Sequence, residues 1–382
     1  MKTPTIRFTN ILITFLILIP HIACTQTINE QITELLKNHL VEKGKRPVHN
    51  IMLYLKNDSN DFEYHNGLGI RGRDKTPINK DYQYRIASIT KTFIAIIILQ
   101  LYEEGKIDID SSITDYIKKK QYAGIEDLHI YKKENHTNTI TIRMLLNHTS
   151  GIADVFNDTR FRWNLSVFFK PSKQYNAQSF FYKYYKYNLN KNPHNLPGAG
   201  YNYTDIGYMV LGFIIESVTG NNLPYVLRNR IIVPLNMKNT YFEYYEPSTG
   251  HGKQIDAFLN RINFTKKVNT SYEWAGGGLI STTKELGVFF EKLFTNQLFK
   301  YEKTLDLMID TSLASKFGVD YGLGIAKYVF NDTVFYGHSG FYGSFTAYSP
   351  DKKIIFSANI GQVNPPYNTG KLIEQILSTV VN

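Results

Sequence analysis

Residues 86–99 read Ile86-Ala87-Ser88-Ile89-Thr90-Lys91-Thr92-Phe93-Ile94-Ala95-Ile96-Ile97-Ile98-Leu99. From Phe93 onward the run is apolar at every position, so a helix here has no polar face and must be buried on all sides. It continues to Glu104, and Gly105 is its natural stop. This buried helix opens on a serine and a lysine three positions apart, which places both side chains on one face, one turn apart. An amine held there eases deprotonation of the hydroxyl, provided burial depresses its pKa. The spacing alone says little, because Ser281 with Lys284 and Ser349 with Lys352 repeat it. Ser281 follows Gly276-Gly277-Gly278-Leu279-Ile280, and there Thr282 reads as a helix cap with Glu285 completing a capping box. Ser349 lies in a Ser-Pro-Asp-Lys turn. Only Ser88 and Lys91 open a buried helix. Read alone, they are more often an N-cap serine and a snorkelling lysine.

Residues 28–40 (INEQITELLKNHL) show helical spacing of apolar positions. Strand-like runs follow at 49–56 and 62–70, with a turn at 57–61 between them. The stretch 106–245 is rich in helix and loop signals. At least three apparent strands lie around 322–329, 345–348 and 354–360, and a helix over about 370–381 follows. Strand and helix material at both ends of a helical middle predicts an α/β domain split by a helical insertion. No repeat of fixed period interrupts this order.

Composition fits a folded chain: 382 residues, 43% hydrophobic and 20% charged. A single cysteine excludes an internal disulfide framework and a cysteine-rich zinc site. The ten histidines form no His-Glu-x-x-His pattern, so neither a metal nor a cofactor is expected. The formal charge of +10 raises nucleic acid, an anionic membrane surface or an anionic polymer as partners.

The N-terminus predicts export. Lys2 and Arg7 precede a mostly apolar run over 11–23 that is too short to span a membrane and fits the core of a signal peptide. Cys24 follows Ala23 directly, which resembles a bacterial lipoprotein signal and would make Cys24 a lipid anchor to the membrane. The expected location is the periplasm or cell envelope, where no nucleic acid is expected as a partner.

The chain resembles the serine beta-lactamase and penicillin-binding protein superfamily, in its branch of class-C-like beta-lactamases, D,D-peptidases and esterases. Five segments carry the resemblance, in the family's order. They are Ala87-Ser88-Ile89-Thr90-Lys91; Thr141-Ile142-Arg143-Met144-Leu145-Leu146-Asn147-His148-Thr149-Ser150-Gly151-Ile152; Pro197-Gly198 with Tyr201-Asn202-Tyr203-Thr204-Asp205-Ile206-Gly207-Tyr208; Gly276-Gly277-Gly278-Leu279-Ile280-Ser281-Thr282; and Gly337-His338-Ser339-Gly340. The resemblance implies a beta-lactamase-like α/β fold: an antiparallel sheet flanked by N- and C-terminal helices, plus a helical insertion domain. Residues 1–23 would be a signal peptide, 24–87 and 246–382 the α/β domain, and 88–245 the helical one.

It also implies roles. Ser88 would be acylated by an ester or amide substrate, such as a D-amino-acid peptide, a beta-lactam or a carboxylic ester. Lys91 would be its base or tune the network, and Tyr203 would relay the proton to the leaving group. His338 and Ser339 would face the substrate beside Gly340, with the backbone N–H groups of Ser88 and Phe341 holding the oxyanion. The substrate is then a small or cell-wall-derived molecule. A non-catalytic penicillin- or peptidoglycan-binding protein on the same fold is the alternative.

One departure bears on recognition. The family's Tyr-x-Asn is here Tyr203-Thr204-Asp205, and an ionised Asp accepts hydrogen bonds but cannot donate. Asp205 would instead pair with Lys91 and keep it charged, which makes Tyr203 the likelier base. Residues 170–191 interleave lysines with aromatics, which suggests either a cationic rim to the pocket or a solvated helix with one packed side.

Overall fold

The computed structural model describes residues 26–380 apart from 73, 118–121, 123 and 251. The predicted signal segment and Cys24 therefore lie outside the described residues. The first helix, α1 (Ile28–Asn38), is fixed by a capping box between Thr27 and Glu30. The next strand, β1 (Asn50–Asn57), carries two apolar faces. Ile51, Leu53 and Leu55 alternate with Met52 and Tyr54, and all five are buried. A strand buried on both faces must lie inside a sheet with a layer on each side.

That sheet has six antiparallel strands. After β1 and β2 (Phe62–Gly69), the chain returns to it with β3 (Ala326–Phe330), β4 (Thr333–Gly340), β5 (Ser344–Ser349) and β6 (Ile354–Ile360). The spatial order is β3-β4-β5-β6-β1-β2, and the two ends of the chain meet where Ile51 pairs with Ile360. On one face, Leu36 of α1 and Leu372 and Ile376 of α7 (Thr369–Ser378) cover Ile51, Leu53 and Phe356. The other face is covered by α6 (Thr283–Phe294), whose Leu286, Phe289 and Phe290 join the larger core with Met52 and Tyr54.

The intervening chain supplies the helical part. Here α2 (Thr90–Glu103) is buried along its length, as its sequence demands, and packs against α5 (Asp205–Thr219). The short turn Trp274–Gly277 packs on both. Two more helices, α3 (Arg160–Phe169) and α4 (Ala177–Lys186), lie at the outside of this layer. No helix among the described residues is long and apolar enough to cross a membrane.

Two expectations need correction in detail. Thr282 does cap α6 through the Glu285 N–H, but the Glu285 carboxylate goes to Asn239 and Thr240 instead of closing a box. The competing Ser-x-x-Lys pairs also resolve. Lys284 turns to Glu63, and Ser349 is buried in β5 while Lys352 lies exposed in the following turn.

Candidate active site

A short 3-10 turn, Ala87–Ile89, leads into α2 and lies against β4. Ala87 takes a left-handed φ of 46°, a conformation costly for a residue with a Cβ, and this sharp entry brings Ser88 to the protein surface while its neighbours stay buried. Lys91, one turn on, is fully buried. Its Nζ donates to Ser88 Oγ at 3.1 Å, to Asp205 Oδ1 at 2.5 Å and to the Gly276 carbonyl at 2.7 Å. An ammonium has three N–H donors, and these three acceptors use them all.

Each acceptor is positioned by a different element. Asp205 begins α5, and its backbone N–H donates to Asp154 Oδ2 at 2.8 Å. Glycine at 276 leaves room for this carboxylate, because a Cβ there would stand 2.8 Å from Asp205 Oδ1. Asp154, which sequence reasoning missed, is buried and caps the next turn through the N–H groups of Phe156 and Asn157. Burial, and then the Asp205 carboxylate, push its pKa up to about 7. The available signal was its place just after the Thr149-Ser150-Gly151 turn, ahead of a helix.

Tyr203 stands over the same group, with Lys91 Nζ 5.0 Å from its ring centroid. Burial, and then Asp205, push the phenol well above its ordinary value near 10, against the opposing pull of the Ser88 hydroxyl. The expected Lys91–Asp205 pair is present. Its carboxylate also raises the phenol's pKa, which favours a protonated phenol over the resting base expected of Tyr203.

The third wall is β4. A Cβ on Gly340 would meet the Ile86 carbonyl at 2.2 Å, so only glycine lets this strand reach the Ser88 turn. Phe341 follows directly, and its side chain is 52% exposed. His338 is buried on the Ser88 side, its ring 6.4 Å from that of Tyr203. Both its nitrogens are engaged, Nε2 with the Tyr321 hydroxyl at 2.9 Å and Nδ1 with the Ser339 carbonyl at 2.7 Å. Ser339 pairs with Phe345 of β5, which packs toward α1 and α7, and with it borders a cavity of about 210 Å³ on that face. Neighbouring strand residues project to opposite faces, so the expectation that His338 and Ser339 both face the substrate is corrected to His338 alone.

His148 completes the floor. It is buried with a left-handed φ of 61°, its Nδ1 accepts the Thr204 N–H at 3.2 Å, and its ring lies 4.2 Å from Tyr203. Burial, and then Lys91, hold both His148 and His338 below the ordinary imidazole value, His338 at about 3. Both are neutral. Between pH about 6.5 and this lowered value the unfolded chain protonates His338 and the native one does not, so stability is lost as pH falls through that window. Asp154 and Glu273, the latter raised to about 8 chiefly by burial, act in the opposite sense. The variant comparison isolates the histidine: from about pH 7.5 to about pH 5, the urea midpoint of His338→Gln is expected to fall less than that of the parent.

Among the described residues, no group of three or more His, Cys, Asp or Glu could hold a metal ion. Known proteins share this architecture. The beta-lactamase family profile matches residues 41–375. Protein flp of Staphylococcus aureus is 25% identical over 370 residues, covering 93% of this chain and 67% of that protein. Among solved structures, a D-stereospecific amidohydrolase from a Streptomyces species superposes with a TM-score of 0.72 at 24% identity, covering 89% of this chain and 97% of its own. The D-amino acid amidase of Ochrobactrum anthropi SV3 gives a TM-score of 0.74 at 22% identity, covering 93% and 99%. The antiparallel sheet with its flanking helices is the fold these structures share.

Proposed function

We propose, because this chain belongs to the beta-lactamase family, that it is a serine hydrolase whose Ser88 forms an acyl-enzyme with an ester or amide. The observation that carries this reading is the partly exposed Ser88 hydroxyl held by a fully buried Lys91 that is itself paired with Asp205. Lys91 passes a proton to Asp205 across their short contact, and the freed lone pair takes the Ser88 proton as Oγ bonds to the carbonyl carbon. The oxyanion rests between the N–H groups of Ser88 and Phe341. As the bond to the leaving nitrogen or oxygen breaks, Tyr203 gives that atom its phenolic proton. Tyr203 recovers one from Lys91, and Asp205 returns its own to Lys91. Water then repeats the sequence on the ester.

A phenol held protonated suits the donor role, and the amidase likeness supports D-amino-acid amides or peptides as substrates. Asp205 in place of an amide donor weakens the case for beta-lactams. Export through residues 1–23, with a lipid on Cys24, would put this activity in the cell envelope. The test is a panel of p-nitrophenyl acetate, D-phenylalanine amide and a chromogenic cephalosporin. Turnover of the ester and the D-amide, with little of the cephalosporin, is expected. A protein that cleaves none of the three would be a binding module on the same fold.

A further inference from the structure

The outer face of α3 is apolar and uncovered. Phe161, Phe168 and Phe169 are 77%, 77% and 73% exposed, and Leu165 shares their side of the helix. Their spacing, i, i+4, i+7 and i+8, puts all four within one face about a quarter of the circumference wide. The opposite face is anchored, since Trp163 is buried against Tyr272 and Phe180 at ring distances of 4.8 and 5.2 Å. An isolated exposed leucine needs no explanation, but a contiguous phenylalanine stripe marks a contact site.

The charge around the stripe names the partner. From Thr159 to Thr204 the sequence holds seven Lys and Arg residues and no Asp or Glu. Lys170, Lys173, Lys183 and Lys186 stand near enough that Lys183 feels the other three. Burial chiefly lowers its pKa, and those lysines lower it further. The ion pairs of the described residues leave these four and Arg160 and Arg162 without a carboxylate. Uncompensated cations beside an exposed aromatic stripe match the two layers of an anionic bilayer surface, phosphate headgroups outside and acyl chains beneath.

We propose that α3 and the lysines of 170–186 form a docking surface for an anionic lipid bilayer. The surface is joined firmly to the catalytic centre. Pro171 O accepts from Asn269 N at 2.8 Å, and Tyr175 N donates to Ser271 Oγ at 2.7 Å, just ahead of the stretch whose Gly276 carbonyl holds Lys91. Docking through this face sets the active site at a fixed height over the membrane, independently of any lipid at Cys24 and of the reaction at Ser88.

The test uses the full chain with Cys24→Ser, a unique cysteine at Phe168→Cys, and an environment-sensitive nitrobenzoxadiazole label on it. A control carries the label at Tyr301→Cys, an exposed site bonded to Glu103 at the far end of α2 from Ser88. Vesicles containing phosphatidylglycerol should shift the label at 168 to the blue and leave that at 301 unchanged. Removing Lys170 and Lys173 should weaken binding roughly fivefold for each lysine, and salt should weaken it too. An equal response to phosphatidylcholine alone, or equal shifts at both positions, would overturn the proposal. So would a response to soluble polyphosphate with none to vesicles, or a dimer in solution that Phe168→Ser with Phe169→Ser disperses.

Discussion

Ser88→Ala is expected to lower kcat/KM for the best ester or amide substrate by a factor on the order of 10⁴ to 10⁶, with the fold intact. The nucleophile is lost, and only binding and the oxyanion N–H groups remain to assist water. Stability should barely move, because the partly exposed Ser88 gives up one hydrogen bond while Lys91 keeps Asp205 and the Gly276 carbonyl. A net hydrogen bond of this kind is worth about 1 kcal/mol. Steady-state kinetics together with a melting curve check both halves. A variant with parental turnover would move the nucleophile elsewhere in the cleft.

Lys91→Met should be as damaging to turnover and, unlike Ser88→Ala, should cost stability. Loss of the base costs on the order of 10⁴-fold in acylation, the upper end for general base catalysis. Loss of the ammonium leaves Asp205 unpaired beside Asp154, with the Gly276 carbonyl without its donor. Breaking a buried ion pair costs about 3–5 kcal/mol, and the lower end applies because the Asp205 side chain keeps 22% exposure. Adding Asp205→Asn removes the orphaned charge. The double variant should regain much of the melting temperature and none of the activity. Recovery of both would show Lys91 to be a structural counter-ion only.

The sequence made the frame legible where one residue pattern admits one packing. An apolar run without a polar face could only be a central helix, and the strand runs near both ends could only cover their faces by joining in one sheet. Lys91 and Asp205 were readable as a pair because an ionised Asp at that place needs a cation. Less was readable where the third dimension decides. Asp154 reaches the site through the backbone of Asp205, a contact no spacing encodes. Tyr321, bonded to His338, is one tyrosine among 28. Ser339 was placed on the wrong face because a motif was carried over whole, while the pleat sends its members to opposite sides. The raised pKa of Tyr203 also depended on packing, since burial and the Asp205 carboxylate together outweigh the pull of the Ser88 hydroxyl. Of the two readings of the aromatic and lysine stretch, the helix with one packed side is the one seen. In α4, Phe180, Phe181 and Tyr184 are packed, and the cations stay outside.

On the proposed mechanism, Ser88 Oγ carries the acyl group. Reaction with an activated aryl phosphonate, followed by intact-mass measurement and peptide mapping, tests it directly. One adduct per chain, located on Ser88 and absent from Ser88→Ala, is the predicted result; an unlabelled parent, or an adduct that persists in Ser88→Ala, would contradict it.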